Sequence, residues 1–321
     1  MRISKEKLFS ESEVTGFRPE VLEKVIHLLN LLEGFRSHPF LKGRLALKGG
    51  TALNFFLFHL PRLSVDIDLN YIGAAEREAM LAERPKIEDA IQAVCAREDF
   101  SVRRIPEEHA GGKWNLHYES ALGQGGKLEV DLNFMFRTPL WPIVIHDSHM
   151  VGSNRATGIP ILDIHELAAG KFAALLSRHQ ARDLFDTHQL LSRGDLGRQR
   201  LRVAFVVYGA MNRKDWRTVS VDDVNFEAAE LEYQLIPLLR RDSLPDRGQS
   251  VALGSRLVDG CRQALEAVLP LSKSELEFLD LLLDDGEIIP SLLTSNEGLA
   301  ERIKQHPLLE WKALNVRQYK G

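Results

Sequence analysis

Lys48-Gly49-Gly50-Thr51 and, beyond a short apolar segment, Arg62-Leu63-Ser64-Val65-Asp66-Ile67-Asp68-Leu69 are the stretch whose reading decides the fold. The run Leu45-Ala46-Leu47 leads into two glycines and a threonine, and Ala52, Leu53, Phe55, Phe56 and Leu60 then recur at helical spacing up to Pro61. Next comes period-2 alternation, with Ser64, Asp66 and Asp68 on one side and Leu63, Val65, Ile67 and Leu69 on the other. That period predicts a strand, with both carboxylates on one face about 6.5–7 Å apart at Cα. Two ionised aspartates at that distance repel unless positive charge lies between them, and a divalent cation would supply it. Glycines at a strand-to-helix turn let backbone N–H groups approach a phosphate, and the helix start favours negative charge. Thr51 is placed to be the N-cap of that helix.

Outward from this stretch, Pro19–Phe35 reads as a helix opened by proline and closed near Gly34, while residues 1–17 are polar and expected to be loosely ordered. Residues 76–98 read as a helix, and Ser101–Ile105 with Trp114–Glu119 as a hairpin. Gly123-Gln124-Gly125-Gly126 makes the next turn into Lys127-Leu128-Glu129-Val130-Asp131-Leu132-Asn133-Phe134, a second alternating run with Asp131 on its polar face. Three carboxylates from neighbouring strands, Asp66, Asp68 and Asp131, would offer the hard oxygen ligands that Mg²⁺ prefers. Any single Asp-x-Asp is equally a solvated strand face.

Residues 139–160 carry proline, glycine and serine punctuation that marks the edge of a domain. Beyond them the signals are helical, over 163–178, 180–192, 198–212, 223–240, 251–269, 273–284 and 296–305. The expected organisation is an N-terminal helical segment (1–39), a catalytic domain (40–160) and a helical domain (161–321), with a possible sub-boundary near 241–250.

With 321 residues, 44% hydrophobic and 27% charged, the chain has the composition of an ordinary soluble globular protein. A net charge of -4 excludes a uniformly basic nucleic-acid coat and leaves room for a local basic groove. Cys95 and Cys261 lack partners at metal-ligand spacing and read as reduced core thiols, as expected in the cytoplasm. No secretory signal and no membrane-spanning run is legible.

In the helix opened by the capping-box pattern Asp163-Ile164-His165-Glu166, Lys171 falls within the apolar stripe of Ile164, Leu167, Ala168 and Leu175. A lysine there either contacts an anion, such as a nucleoside triphosphate, or pairs with a nearby carboxylate. Asp183 and Asp186 share a face of the following helix. Around them Arg178, Arg193, Arg198, Arg200, Arg202, Arg213, Lys214 and Arg217 would suit a nucleic-acid backbone, although several are expected to be solvated helix faces.

Taken in order, Lys48-Gly49-Gly50-Thr51, Arg62-x-Ser64-x-Asp66-x-Asp68, the Val130-Asp131-Leu132-Asn133 strand, Lys171 and Arg182-Asp183-x-x-Asp186 resemble the AbiEii/AbiGii toxin family of the DNA polymerase β-type nucleotidyltransferase superfamily. The resemblance covers residues 40–215. It implies an α+β fold, in which a mixed sheet with flanking helices precedes a helical C-terminal domain. It also implies a Mg²⁺- or Mn²⁺-dependent transfer of a nucleoside monophosphate from an NTP, with release of pyrophosphate.

By the same resemblance, Asp66, Asp68, Lys171 and either Asp183 or Asp186 would be catalytic. Gly49, Gly50, Thr51, Ser64 and Lys171 would bind nucleotide, and Asp66, Asp68 and Asp131 would bind metal. The implied acceptor is RNA at the tRNA 3′ end, and the implied partner a separate antitoxin. Two other readings stay open: a non-catalytic nucleotide- or partner-binding module of the same fold, and an enzyme that nucleotidylates a protein hydroxyl.

Overall fold

In the computed structural model, which describes residues 3–105, 111–246 and 248–320, the alternating runs form strands and the apolar stripes form helices. The chain divides into two compact units. The first takes residues 1–137, 143–162 and 236–244; the second takes 138–142, 163–235 and 245–321.

The first unit contains, in chain order, α1 (Lys5–Thr15), α2 (Pro19–Ser37), β1 (Leu45–Lys48), α3 (Gly49–Ala52), β2 (Asp66–Tyr71), α4 (Arg77–Arg97), β3 (Ser101–Ile105), β4 (Gly111–Glu119), β5 (Gly125–Asn133), β6 (Val144–His146) and β7 (Ile159–Ile161). The strands make one mixed sheet in the order β3-β4-β5-β2-β1-β7-β6. β2 runs parallel to β5 and antiparallel to β1, and β4 runs antiparallel to β5. Period-2 alternation then fixes two faces. Ile67, Leu69, Tyr71, Val130, Leu132 and Trp114 lie on the buried one. It is covered by α2 and α4: the His27 and Tyr118 rings approach to 4.2 Å, and the Tyr71 hydroxyl donates to Glu83 at 2.7 Å. The other face carries the acids.

Several expectations are revised. Residues 5–15 are helical rather than loose: the Ser4 hydroxyl accepts from the Lys7 N–H, Gly16 closes the helix at φ 73°, and Leu8 is fully buried. A single anchoring leucine leaves no periodic pattern to read. Within residues 139–160, β6 and β7 extend the sheet, but three-residue strands are too short to show alternation.

The second unit holds α5 (Ile164–Arg178), α6 (Ala181–Ser192), α7 (Arg198–Ala210), α8 (Ala228–Glu230), α9 (Ser250–Leu265), α10 (Lys273–Asp280), α11 (Glu297–Lys304) and α12 (Pro307–Lys320). Its centre includes the Phe172, Phe205 and Trp216 rings, with Phe205 and Trp216 centroids 5.1 Å apart. The helix expected over 223–240 is broken into short α, π and 3₁₀ turns. Pro237 lacks the N–H an α-helix needs, and the segment from Ile236 joins the first unit, where the Leu63 N–H donates to the Leu238 carbonyl at 2.9 Å. The helix α12 was not expected, because exposed Trp311, Leu314 and Tyr319 blur its stripe. Among the described residues no helix is long and apolar enough to cross a membrane.

Ile67 is fully buried between the two aspartates of β2. Ile67→Ala should destabilise the protein by about 2–5 kcal/mol through lost burial and a residual cavity, measured as a lower urea midpoint.

Candidate active site

Strand register turns the separate acids of the sequence into a row. Lys48 pairs across the sheet with Asp68, Asp68 with Asp131, and Asp131 with Lys113. A second row beside it runs Asp66, Glu129, Asn115. Adjacent strands are about 4.8 Å apart, so the carboxylates of Asp68 and Asp131 are forced into proximity by the backbone ladder itself. A lysine stands at either end of the first row. The Lys113 ammonium reaches Glu129 at 2.7 Å, a contact that raises its pKa, with Asp131 and Asp66 adding to the effect. The Asp131 carboxyl is pushed above its usual value, chiefly by the protein packed around it. Lys48 opposes that rise and the Asp68 charge adds to it.

The glycine turn closes on this row. Gly49 adopts φ 72°, and a Cβ there would lie 2.2 Å from the Asp68 Oδ2. Only glycine permits both the left-handed backbone and the close approach. Gly50 and Thr51 are buried in α3, which widens into a π turn over Leu53–Leu57. Thr51 is not the N-cap. It lies inside the first turn, and its hydroxyl donates to the Asp66 carbonyl at 2.5 Å, fastening the turn to β2. Ser64 precedes the strand, is buried, and lies outside the ladder. Arg62 is also buried, bonding the Leu63 carbonyl at 2.8 Å and bridging to Leu239. The first unit therefore brings together Gly49, Gly50, Thr51, Asp66, Asp68 and Asp131. Lys48 and Lys113 join them: Lys48 heads the glycine motif but the sequence assigns it no role, and Lys113 lies just before the strand expected at Trp114.

A divalent cation fits this donor set. Asp66, Asp68 and Asp131 offer only hard carboxylate oxygens, and the missing Cβ of Gly49 leaves an Asp68 oxygen uncovered. Among the described residues no three His, Cys, Asp or Glu side chains stand grouped closely enough to hold a metal ion, so these carboxylates would have to draw together around one.

The second unit assembles the remaining candidates. The Lys171 ammonium lies 2.9 Å from Asp183 and 2.8 Å from Asp186, and the Arg178 guanidinium is 2.8 Å from the other Asp183 oxygen. Asp183 and Asp186 project from α6 one turn apart, which lets one lysine from α5 bridge both. Lys171 is thus paired with carboxylates. Burial alone would raise the Asp183 pKa, but Lys171 and Arg178 outweigh it and hold the carboxyl below its usual range.

The capping box of α5 is only half made. Asp163 accepts from the His165 N–H at 2.9 Å, whereas Glu166 turns inward to accept from the Trp141 N–H and the Tyr208 hydroxyl. Burial pushes the Glu166 carboxyl up to about 7. Much of the expected basic surface is internally paired: Arg193 with Asp195, Arg200 with Asp163, Arg202 with Glu275, Lys214 with Asp223, and Arg217 with Asp215, Asp280 and Asp284.

Comparison with known proteins follows the same lines. The family model described as nucleotidyl transferase AbiEii toxin, type IV TA system, matches residues 30–256. Among solved structures, MenT4, a nucleotidyltransferase toxin from Mycobacterium tuberculosis H37Rv, is similar with a TM-score of 0.60 at 15% identity, over 97% of this chain and 99% of that one. At that identity the likeness speaks for the fold. A search among curated proteins finds no match.

Lys171→Met keeps the stem and removes the charge, leaving two buried carboxylates without their shared cation. The expected cost at neutral pH is about 3–5 kcal/mol, read from denaturant melts. A carboxyl with a depressed native pKa stabilises fully above its unfolded value of about 4 and loses that contribution as pH falls through the native one. The gap between wild type and variant should therefore narrow below pH 4, and a gap independent of pH would contradict the assignment.

Proposed function

Because the chain belongs to the AbiEii family of nucleotidyltransferase toxins of type IV toxin–antitoxin systems, we propose that it transfers a nucleoside monophosphate from an NTP to RNA, at the tRNA 3′ end. Membership of such a system implies a separate antitoxin. The observation that carries the reading is the cross-strand row Lys48, Asp68, Asp131, Lys113, with the Gly49 turn pressed against Asp68. Asp66 and Asp68, with Asp131 beside them, would hold Mg²⁺ or Mn²⁺. The cation would supply the positive charge that a triphosphate and its departing pyrophosphate need.

The residues of the chain do the rest. Backbone N–H groups at Gly49, Gly50 and Thr51 would be offered to phosphate oxygens, and the Thr51 hydroxyl keeps that turn in register with Asp66. Lys48 and Lys113 flank the acidic row and moderate its charge while no nucleotide is present. In the transfer the acceptor hydroxyl oxygen forms a bond to the α-phosphorus, the bond from that phosphorus to the bridging oxygen breaks, and pyrophosphate departs with its electron pair. The hydroxyl proton leaves to solvent or to a carboxylate of the row. Lys171 would contact the nucleotide, oriented by Asp183 and Asp186, and Ser64, just before β2, would also bind it.

Purified protein incubated with Mg²⁺, each labelled NTP in turn and total tRNA should place label in tRNA, and Asp68→Asn should lower the rate at least a hundredfold. Label in protein with none in tRNA would move the acceptor to a protein hydroxyl, and no label in either would remove the proposed transfer for both. Gly49→Ala should cut activity as severely as Asp68→Asn, while its φ alone costs only about 1–2 kcal/mol of stability.

A further inference from the structure

The second unit contains a half-open cleft of about 540 Å³ to which the motif residues contribute nothing. One wall is the Leu140-Trp141 loop, another the start of α7 with Gln199 and Arg200, and the third the approach to α11 with Ser295, Asn296 and Arg302. Its chemistry is specific. No carboxylate lines it, in a chain of net charge -4, and two guanidiniums do. The Arg200 guanidinium lies 4.7 Å from the Trp141 ring centroid, layered on the indole, and its bond to Asp163 at 3.1 Å holds it there. A guanidinium has five N–H donors, so one bond to Asp163 leaves others for a second anion. Arg302 spends one N–H on the Leu140 carbonyl at 3.0 Å, bracing the loop that presents Trp141. The Trp141 N–H is in turn anchored on the buried Glu166 at 3.2 Å. An indole fixed at its backbone, covered by the Arg200 guanidinium with the His165 ring 5.8 Å away, lines a cleft that also holds Arg302 and small polar side chains, which suits a planar base followed by a phosphate.

We propose that this cleft binds one nucleotide of the single-stranded RNA acceptor, with the base stacked on the layered Arg200–Trp141 pair and the phosphate held by Arg302 and the remaining Arg200 N–H groups. The proposal rests on the reading of RNA as acceptor, and it assigns this subsite to residues outside every motif of the transferase. Its volume is that of a small-ligand pocket, so it takes a unit of a chain and leaves the flanking nucleotides outside. An acidic peptide would use the arginines and gain nothing from the stacked Arg200–Trp141 pair.

The test is titration of fluorophore-labelled tRNA, and of a short single-stranded oligoribonucleotide, into the full chain without NTP, read by anisotropy at fixed salt. Trp141→Ala should weaken RNA binding by roughly five- to a hundredfold, and Trp141→Phe should restore most of the loss. Exposed Gln199 provides a control independent of folding: Gln199→Glu should weaken binding and Gln199→Lys tighten it, with unchanged thermal midpoints and unchanged NTP affinity. Arg302→Gln should lower the slope of log affinity against log salt by about 0.7.

RNA affinity indifferent to Trp141→Ala and to both Gln199 variants would overturn the cleft assignment, even if the wild type labels tRNA, in which case the proposed function stands without it. Wild-type protein that binds no RNA, or that releases it to an acidic peptide more readily than to competing RNA, would overturn the cleft, and label appearing in protein would then show that the acceptor reading failed with it.

Discussion

Like charges on neighbouring strands are the constraint on which this molecule turns. The parallel ladder between β2 and β5 sets Asp68 directly beside Asp131, and Asp66 beside Glu129. Such juxtaposition is unfavourable unless compensated. The compensation is built into the same sheet: β1 and β4, both antiparallel to the acidic strands, bring Lys48 and Lys113 to the ends of the row. A platform of this kind tolerates its own charge yet gains from an added cation, which is what a metal-assisted phosphoryl transfer requires. The glycine turn depends on the same arrangement, since Gly49 can approach Asp68 only without a side chain.

The helical unit solves a similar problem by different means. Asp183 and Asp186 are buried and Lys171 is largely covered, and charge taken out of water is costly unless paired and hydrogen-bonded. One ammonium answers two carboxylates and Arg178 binds one of them, so α5 and α6 are joined through paired charges. A lysine inside an apolar stripe thus has its structural partners in Asp183 and Asp186. Glu166 is the contrasting case: it is satisfied by N–H and hydroxyl donors, and burial shifts it toward the neutral acid.

Pairing also explains why the arginine-rich region is less of a nucleic-acid surface than its composition suggests. Arg193, Arg202, Lys214 and Arg217 bind carboxylates of their own chain. Affinity for a polyanion therefore depends on where cations are presented without competing acids. Arg302 in the cleft beside Trp141 is such a cation, since no acid lines the cleft and the Arg302 bond goes to a carbonyl, whereas Arg200 beside it is shared with Asp163.

The sequence by itself determined the elements with strong local periodicity: α2, α4, the two acidic strands and the helices that carry Lys171 and Asp183. It also placed Gly49, Asp66, Asp68 and Asp131 in one chemical proposal, because alternation and turn chemistry are local properties of the chain. Register is not local. That Asp68 neighbours Asp131, and that Lys48 and Lys113 close the row, was decided only when strands distant in sequence paired. The same holds for Thr51, whose hydroxyl went to the Asp66 carbonyl instead of capping its own helix, and for Trp141, a residue of an unpatterned loop that acquires meaning from Arg200 and Arg302. Side chains select partners by three-dimensional proximity and burial, and one-dimensional spacing reports neither.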